Sequence, residues 1–223
     1  MLASTILSLL EENIQNMHSF VYANMLPQEL ANQFDFVTNK FVDAHFKPSQ
    51  AGSLQGIDEI QIDLDNLRLL KSTYSASPTL TNGDYVVALP NNYRNLLNDR
   101  VSVASNCSSQ IVLNRPTRPI GDEAWETTKV IPFTLPTAVS PISKILGNNF
   151  YVNAGGNVIT SISLTYIRKV LNLDVVTSNA TYTEFPEEVI LKIIDLTRNR
   201  ILELVKSDRT STAVEENKNF GLM

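Results

Sequence analysis

The sequence predicts an α+β protein: an N-terminal helical region, a small antiparallel β part with a long Pro-rich loop, and a long C-terminal helix completing a helical bundle. Three observations carry this. Apolar residues recur at three- to four-residue steps over the first seventy positions, which is the spacing of one helix face. In the segment 158–168, Ile162, Leu164 and Tyr166 alternate with Ser161, Ser163 and Thr165, as a strand with one covered face requires. Near the C-terminus Val189, Ile190, Ile193, Ile194, Ile201, Leu204 and Val205 line one side of a helix.

The first helix is set by Ile6, Leu10, Met17 and Val21, with Ser4 placed to cap its start. Pro27 suits the first turn of a second helix, and Glu29 suits its positive end. That helix carries Leu30, Phe34, Val37 and Phe41 on one face and stops before Pro48. A Gly/Ser-rich loop, 50–56, leads to a third helix marked by Ile57, Ile60, Leu64 and Leu67.

The texture then changes to β. Asn82-Gly83 marks a turn, and 85–89, 101–104 and 111–113 have strand composition. The stretch DYVVALPNNYRNLLNDR, ending at Arg100, reads as a short strand, a Leu89-Pro90 stop and a short helix. Segments 149–153 and 158–168 flank Ala154-Gly155-Gly156-Asn157, a hairpin signal because Gly accepts positive φ without steric cost. Between these runs, 115–147 holds Pro116, Pro119, Pro132, Pro136 and Pro141 and reads as an extended excursion, which is functional or an interface. Pro186, Glu187 and Glu188 open the last helix. Residues 1–206 are therefore expected to form one domain, divided into helices over 1–72, a β part over 82–170 with its loop at 114–147, and a helix over 184–206. Residues 207–223 lack an apolar period and read as a flexible tail.

Composition narrows the function. Apolar residues make up 43% and charged residues 18%, an ordinary globular balance with a thinly charged surface. Eighteen basic against twenty-three acidic residues gives a net charge of -5, whereas a protein gripping nucleic acid by its phosphates carries a basic excess. Cys107 is alone, so no intrachain disulfide forms and a reducing compartment is expected. No run reaches the length of a membrane span, and the start lacks the basic flank of a signal peptide, so a soluble cytoplasmic product is expected.

No constellation carries catalysis. Asp63 and Asp65 form an Asp-x-Asp pair, which in some transferases holds a metal-nucleotide, but here they fall on the polar side of an expected helix, where alternate carboxylates are common. His18 and His45 are the only histidines and neither has a Cys nearby, so they read as surface or packing residues and no metal or cofactor is implied. No nucleophile elbow is present, and Gly155-Gly156 lacks the strand-to-helix setting of a phosphate loop. Candidate interface residues gather in the Pro-rich excursion. Trp125 and Phe133 are large aromatics suited either to anchoring an interface or to tucking back onto the sheet. Arg115 and Arg118, with Lys129, suit DNA or an acidic neighbour or stand as solvated charges. Arg168-Lys169, Arg198 and Arg200 are further basic positions.

The ordered series IDEIQIDLDNLRLL, DYVVALPNNYRNL, Cys107, the Pro-rich excursion, NNFYVNAGGNVITSISLTYIRK and FPEEVILKIIDLTRNRILEL resembles the structural proteins of crAss-like and related short-tailed bacteriophages. More distantly it is similar to the head-to-tail connector adaptors of the tail tubular A type. Two positions depart from that pattern: Val170 stands where Pro is usual after Tyr-Ile-Arg-Lys, and Asn91-Asn92 follow Leu-Pro in place of an acidic residue. The resemblance implies a virion protein, assembled in the host cytoplasm, that forms a homo-oligomeric, dodecameric ring between the portal protein and neighbouring tail ring proteins. It implies only transient, non-specific contact with DNA in the lumen, and no membrane. Two other classes stand beside it: a monomeric binding module or assembly chaperone, and a small enzyme with a site scattered in sequence.

Overall fold

The computed structural model describes residues 1–15, 25–46, 65–104, 112–176 and 180–204. The fold is α+β, as the patterning predicts. The chain divides into two compact units, one built from Met1–Leu70 with Val170–Met223 and the other from Lys71–Lys169. Where one domain over 1–206 was expected, the second unit is inserted into the first.

The first unit is helical. Helix α1 (Ala3–Gln15) buries Ala3, Ile6, Leu10 and Ile14, one residue per turn on one stripe. Ser4 lies inside its first turn and does not cap it. The backbone takes that role instead: the Ala3 N–H donates to Ala180 O at 2.8 Å, and the Tyr182 N–H donates to Met1 O at 2.9 Å. Helix α2 (Pro27–His45) starts as expected, with Pro27 in its first position and the Glu29 carboxylate accepting the Leu26 N–H at 3.1 Å. It buries Leu30, Ala31, Phe34, Val37, Phe41 and Val42. Buried Thr38 donates its hydroxyl to Phe34 O at 2.7 Å. Phe34 meets Tyr182 edge-on at 5.6 Å, and Phe41 meets Phe185 edge-on at 6.0 Å. His45 packs its ring on Phe41 and holds the Phe41 carbonyl through Nδ1, which makes it a helix-end packing residue.

The long C-terminal helix runs from Glu187 to Leu204, with Pro186 O accepting the Val189 and Ile190 N–H groups at 3.0 Å. Val189, Ile190, Ile193, Ile194 and Ile201 are buried as predicted, but Leu204 is more than half exposed. Leu196, Thr197, Asn199 and Leu202 are buried as well, so this helix is covered on more sides than one stripe accounts for. Each fully buried Leu, Ile, Val or Phe contributes about 1.5–3 kcal/mol. The loop at 50–56, most of the third helix with Asp63, and His18, Cys107, Val205 and the 207–223 tail lie outside the described residues.

The second unit is a two-sheet sandwich. Its strands are β1 (Lys71–Ala76), β2 (Thr79–Thr81), β3 (Asp84–Ala88), β4 (Tyr93–Ala104), β5 (Val112–Arg115), β6 (Arg118–Pro119), β7 (Ile142–Leu146), β8 (Asn149–Asn153) and β9 (Val158–Arg168). One sheet has the order β1-β9-β4-β5 and is antiparallel throughout. The other has the order β2-β3-β8-β7-β6, with only β6 and β7 parallel. Val87 and Leu89, Phe150 and Val152 from one sheet meet Val101, Val103, Ile159, Ile162 and Leu164 from the other in a shared core.

Four sequence expectations are corrected here. Residues 93–104 form the longest strand, not a short helix after Leu89-Pro90; the Tyr93 N–H closes a turn on Pro90 O at 2.9 Å and the chain then runs extended. Register shifts between Tyr93 and Asn95 and between Leu96 and Asn98 break the alternation that would have marked the strand. A third shift, at Ser102/Val103, lets both Ile159 and Ile162 turn inward. The β part begins at Lys71, not at 82, because β1 and β2 are written in Ser and Thr. The excursion over 115–147 is ordered: it holds β6, a short helix α3 (Asp122–Thr128) and β7. The expected hairpin of 149–153 with 158–168 does not form: β8 pairs with β3 and β7 and β9 with β1 and β4, so Gly155-Gly156, both at positive φ, carry the chain from one sheet to the other. The Asn82-Gly83 turn stands as expected, both residues at positive φ between the paired strands β2 and β3.

Candidate assembly surface

Asp84, Lys144, Tyr151 and Asn153 lie on the face of the five-stranded sheet turned away from the core, since their strand neighbours Val87, Phe150 and Val152 point into it. Helix α3 is fastened over this face. Trp125, with 1% of its surface exposed, donates its indole N–H to Asp84 at 3.2 Å across forty-one residues of chain. Lys129 Nζ meets the same carboxylate at 2.8 Å, and Asn153 Nδ2 donates to its other oxygen at 2.7 Å. The Lys129 and Lys144 ammonium groups flank the indole at 4.9 and 5.0 Å, and Lys144 also pairs with Asp122 at 2.6 Å. Burial works to raise the Asp84 carboxyl, but the hydrogen bonds from Asn153, Lys129 and Trp125 and the Lys129 charge outweigh it and hold it below the ordinary value. Trp125 is thus a core residue of its own chain, and its expected role as an interface anchor is withdrawn.

The segment after α3 is braced at several points. The Val130 and Ile131 N–H groups donate to Thr127 O, and the Thr134 N–H donates to Ile131 O at 3.0 Å. Arg118, on β6, donates from its guanidinium to Thr134 O at 2.8 Å. On the return arm, Pro136 runs so close to Gly155 that a Cβ there would collide with the Pro136 carbonyl, and Gly155 also holds φ +62. The tip between these braces presents apolar side chains to solvent. Phe133 is 99% exposed and Val130 is 76% exposed, and the neighbouring positions Ile131 and Leu135 are exposed too, as is Val139 farther along the return arm.

The four interface residues expected from sequence therefore separate. Phe133 stands at the tip, Arg118 supports the tip from below, Arg115 lies exposed at the end of β5, and Trp125 is buried beneath α3. Of the other basic positions, Arg200 stacks on Phe36 at 3.8 Å and donates to Gln33, and Lys169 reaches Asn91 O at 3.3 Å. Sequence reasoning missed Asp84 and Lys144, and it read Gly155 as a turn residue without its close approach to Pro136. Asp84 carried a signal: an acid directly after a tight turn, in a strand whose other residues are apolar.

Among the described residues no three His, Cys, Asp or Glu side chains converge to hold a metal ion. No described helix is long and apolar enough to cross a membrane. The sequence matches no protein-family model and no curated protein.

Proposed function

We propose that this chain is a virion structural protein: one subunit of an oligomeric, dodecameric ring in the head-to-tail connector of a short-tailed bacteriophage. It links portal to tail, leaves a channel for the genome, and performs no catalysis. The observation that carries the reading is the braced tip with Phe133 outermost. An exposed aromatic on a pre-ordered loop binds with little ordering cost, which is how interface anchors work. Several exposed apolar residues at one tip are a feature of interaction surfaces. A net charge of -5 suits a lumen through which DNA slides without being gripped. The resemblance of the ordered sequence blocks to connector proteins supplies the partners: further copies of the chain, the portal and the neighbouring tail rings.

The test is the solution mass of the purified chain across concentration, alone and mixed with the portal ring. A ring-sized species, or monomers recruited into one by the portal, is expected. Monomers indifferent to the portal would remove the connector reading and leave a monomeric binding module.

A further inference from the structure

The two sheets of the β unit treat their edges differently. In the five-stranded sheet, edge strand β2 spans three residues, and edge strand β6 spans two, one of them Pro119, which has no N–H to offer. In the four-stranded sheet, edge strand β1 runs for six residues without a Pro, a Gly or a register shift. Its one charge, Lys71, sits at the strand end. Alternate residues of β1 turn their N–H and C=O groups away from β9, and no described residue pairs with them. The opposite edge of the same sheet is β5, four residues closed off by Pro116.

We infer that the β1 edge receives the β5 edge of a second copy of this chain, an inference that rests on the ring reading above. Strand direction supports it. With β1, β9, β4 and β5 successively antiparallel, β1 and β5 run in opposite senses. A β5 laid on the β1 of the next copy is therefore antiparallel to it and continues the alternation without a fault. The pleat also matches. Tyr74 and Ala76 pack toward the core, which turns Thr73 and Ser75 outward; Asn114 stands opposite Ser102, beside core residues Val101 and Val103, and so lies on the outer face too. One contact joins two different edges, so it is heterologous: it propagates from copy to copy and closes when the rotation per copy divides a full turn. A two-fold dimer has no use for such an arrangement.

The test combines cross-linking with amide exchange in the full-length chain. In a Cys107→Ser background, Asn114→Cys is paired with Thr73→Cys or with Ser75→Cys. Oxidation of the oligomer is expected to give a ladder of disulfide-linked species rising from dimer upward, with each single-cysteine variant giving at most a dimer. In the unmodified chain, oligomerisation is expected to slow exchange of amides in 71–76 by more than about tenfold while those of 79–81 keep their monomer rates. An oligomer with no ladder and unchanged exchange at 71–76 overturns the edge contact and leaves the ring standing. A chain that stays monomeric with and without portal overturns both.

Discussion

Trp125 shows how one side chain decides the character of a whole segment. It was legible as important because it is the only Trp in an irregular, Pro-rich stretch, but nothing local to it could show that Asp84, forty-one residues earlier, accepts its N–H. Trp125→Ala should cost about 3–5 kcal/mol by loss of a buried aromatic. Trp125→Phe should cost about 1–3 kcal/mol, since the buried carboxylate loses a donor. Urea denaturation followed by circular dichroism measures both, and a change near zero would contradict the burial of the ring. Gly155→Ala adds a Cβ against the Pro136 carbonyl at positive φ, so a loss of about 1–3 kcal/mol is expected in the same assay. Asp99 offers a pH test. Burial raises its carboxyl above the ordinary value, against hydrogen bonds from Thr117. The folded state therefore binds this proton more tightly than the unfolded chain, and stability falls as pH rises from the ordinary carboxylate value through the raised one. Asp99→Asn should melt higher than the parent at neutral pH and together with it near about pH 3, below both values. The opposite order at neutral pH would show that the charged form is favoured in the fold.

At the scale of elements, legibility followed the strength of the local period. The α2 start, the apolar face of the C-terminal helix and the Asn82-Gly83 turn between β2 and β3 each rest on contacts within a few residues, and each was readable. Strand β4 was not, because its bulges scramble the alternation, and β1 and β2 were not, because a partly covered edge needs few apolar residues. Order in the excursion comes from distant partners, such as Asp84, which holds both Trp125 and Lys129 from another strand, and these lie outside any local window of sequence. Of the candidate site, the sequence marked the right segment and Phe133 within it, but it could not separate the displayed aromatic from the buried one. The tip's side chains touch little of their own chain. Replacing Val130, Ile131 and Phe133 together by Ser should therefore shift stability by no more than about 0.5 kcal/mol per site. Ring formation on the portal, read by light scattering, should be lost. Intact assembly by this variant would move the docking surface elsewhere.

The whole molecule is an insertion: the β unit leaves the helical unit after Leu70 and returns at Val170. Its sandwich core draws on residues from Val87 to Leu164 and on none outside 71–169. Residues 71–169 expressed alone should fold and melt in one cooperative step with Trp125 still shielded from quenchers; a non-cooperative melt with a quenchable Trp would show that the helical unit completes the fold. The points of departure and return lie at one end of one ladder, since Lys71 stands opposite Ile167 and Ser72 opposite Tyr166. Tension applied at those two strand ends would load the ladder as a zipper, rung after rung beginning at Lys71, and not in shear with all rungs resisting together. Such a joint yields at low force and reseals when the load is released. In the connector proposed above, it would act as a compliant coupling, stretching at the β1–β9 seam before the sandwich core is strained.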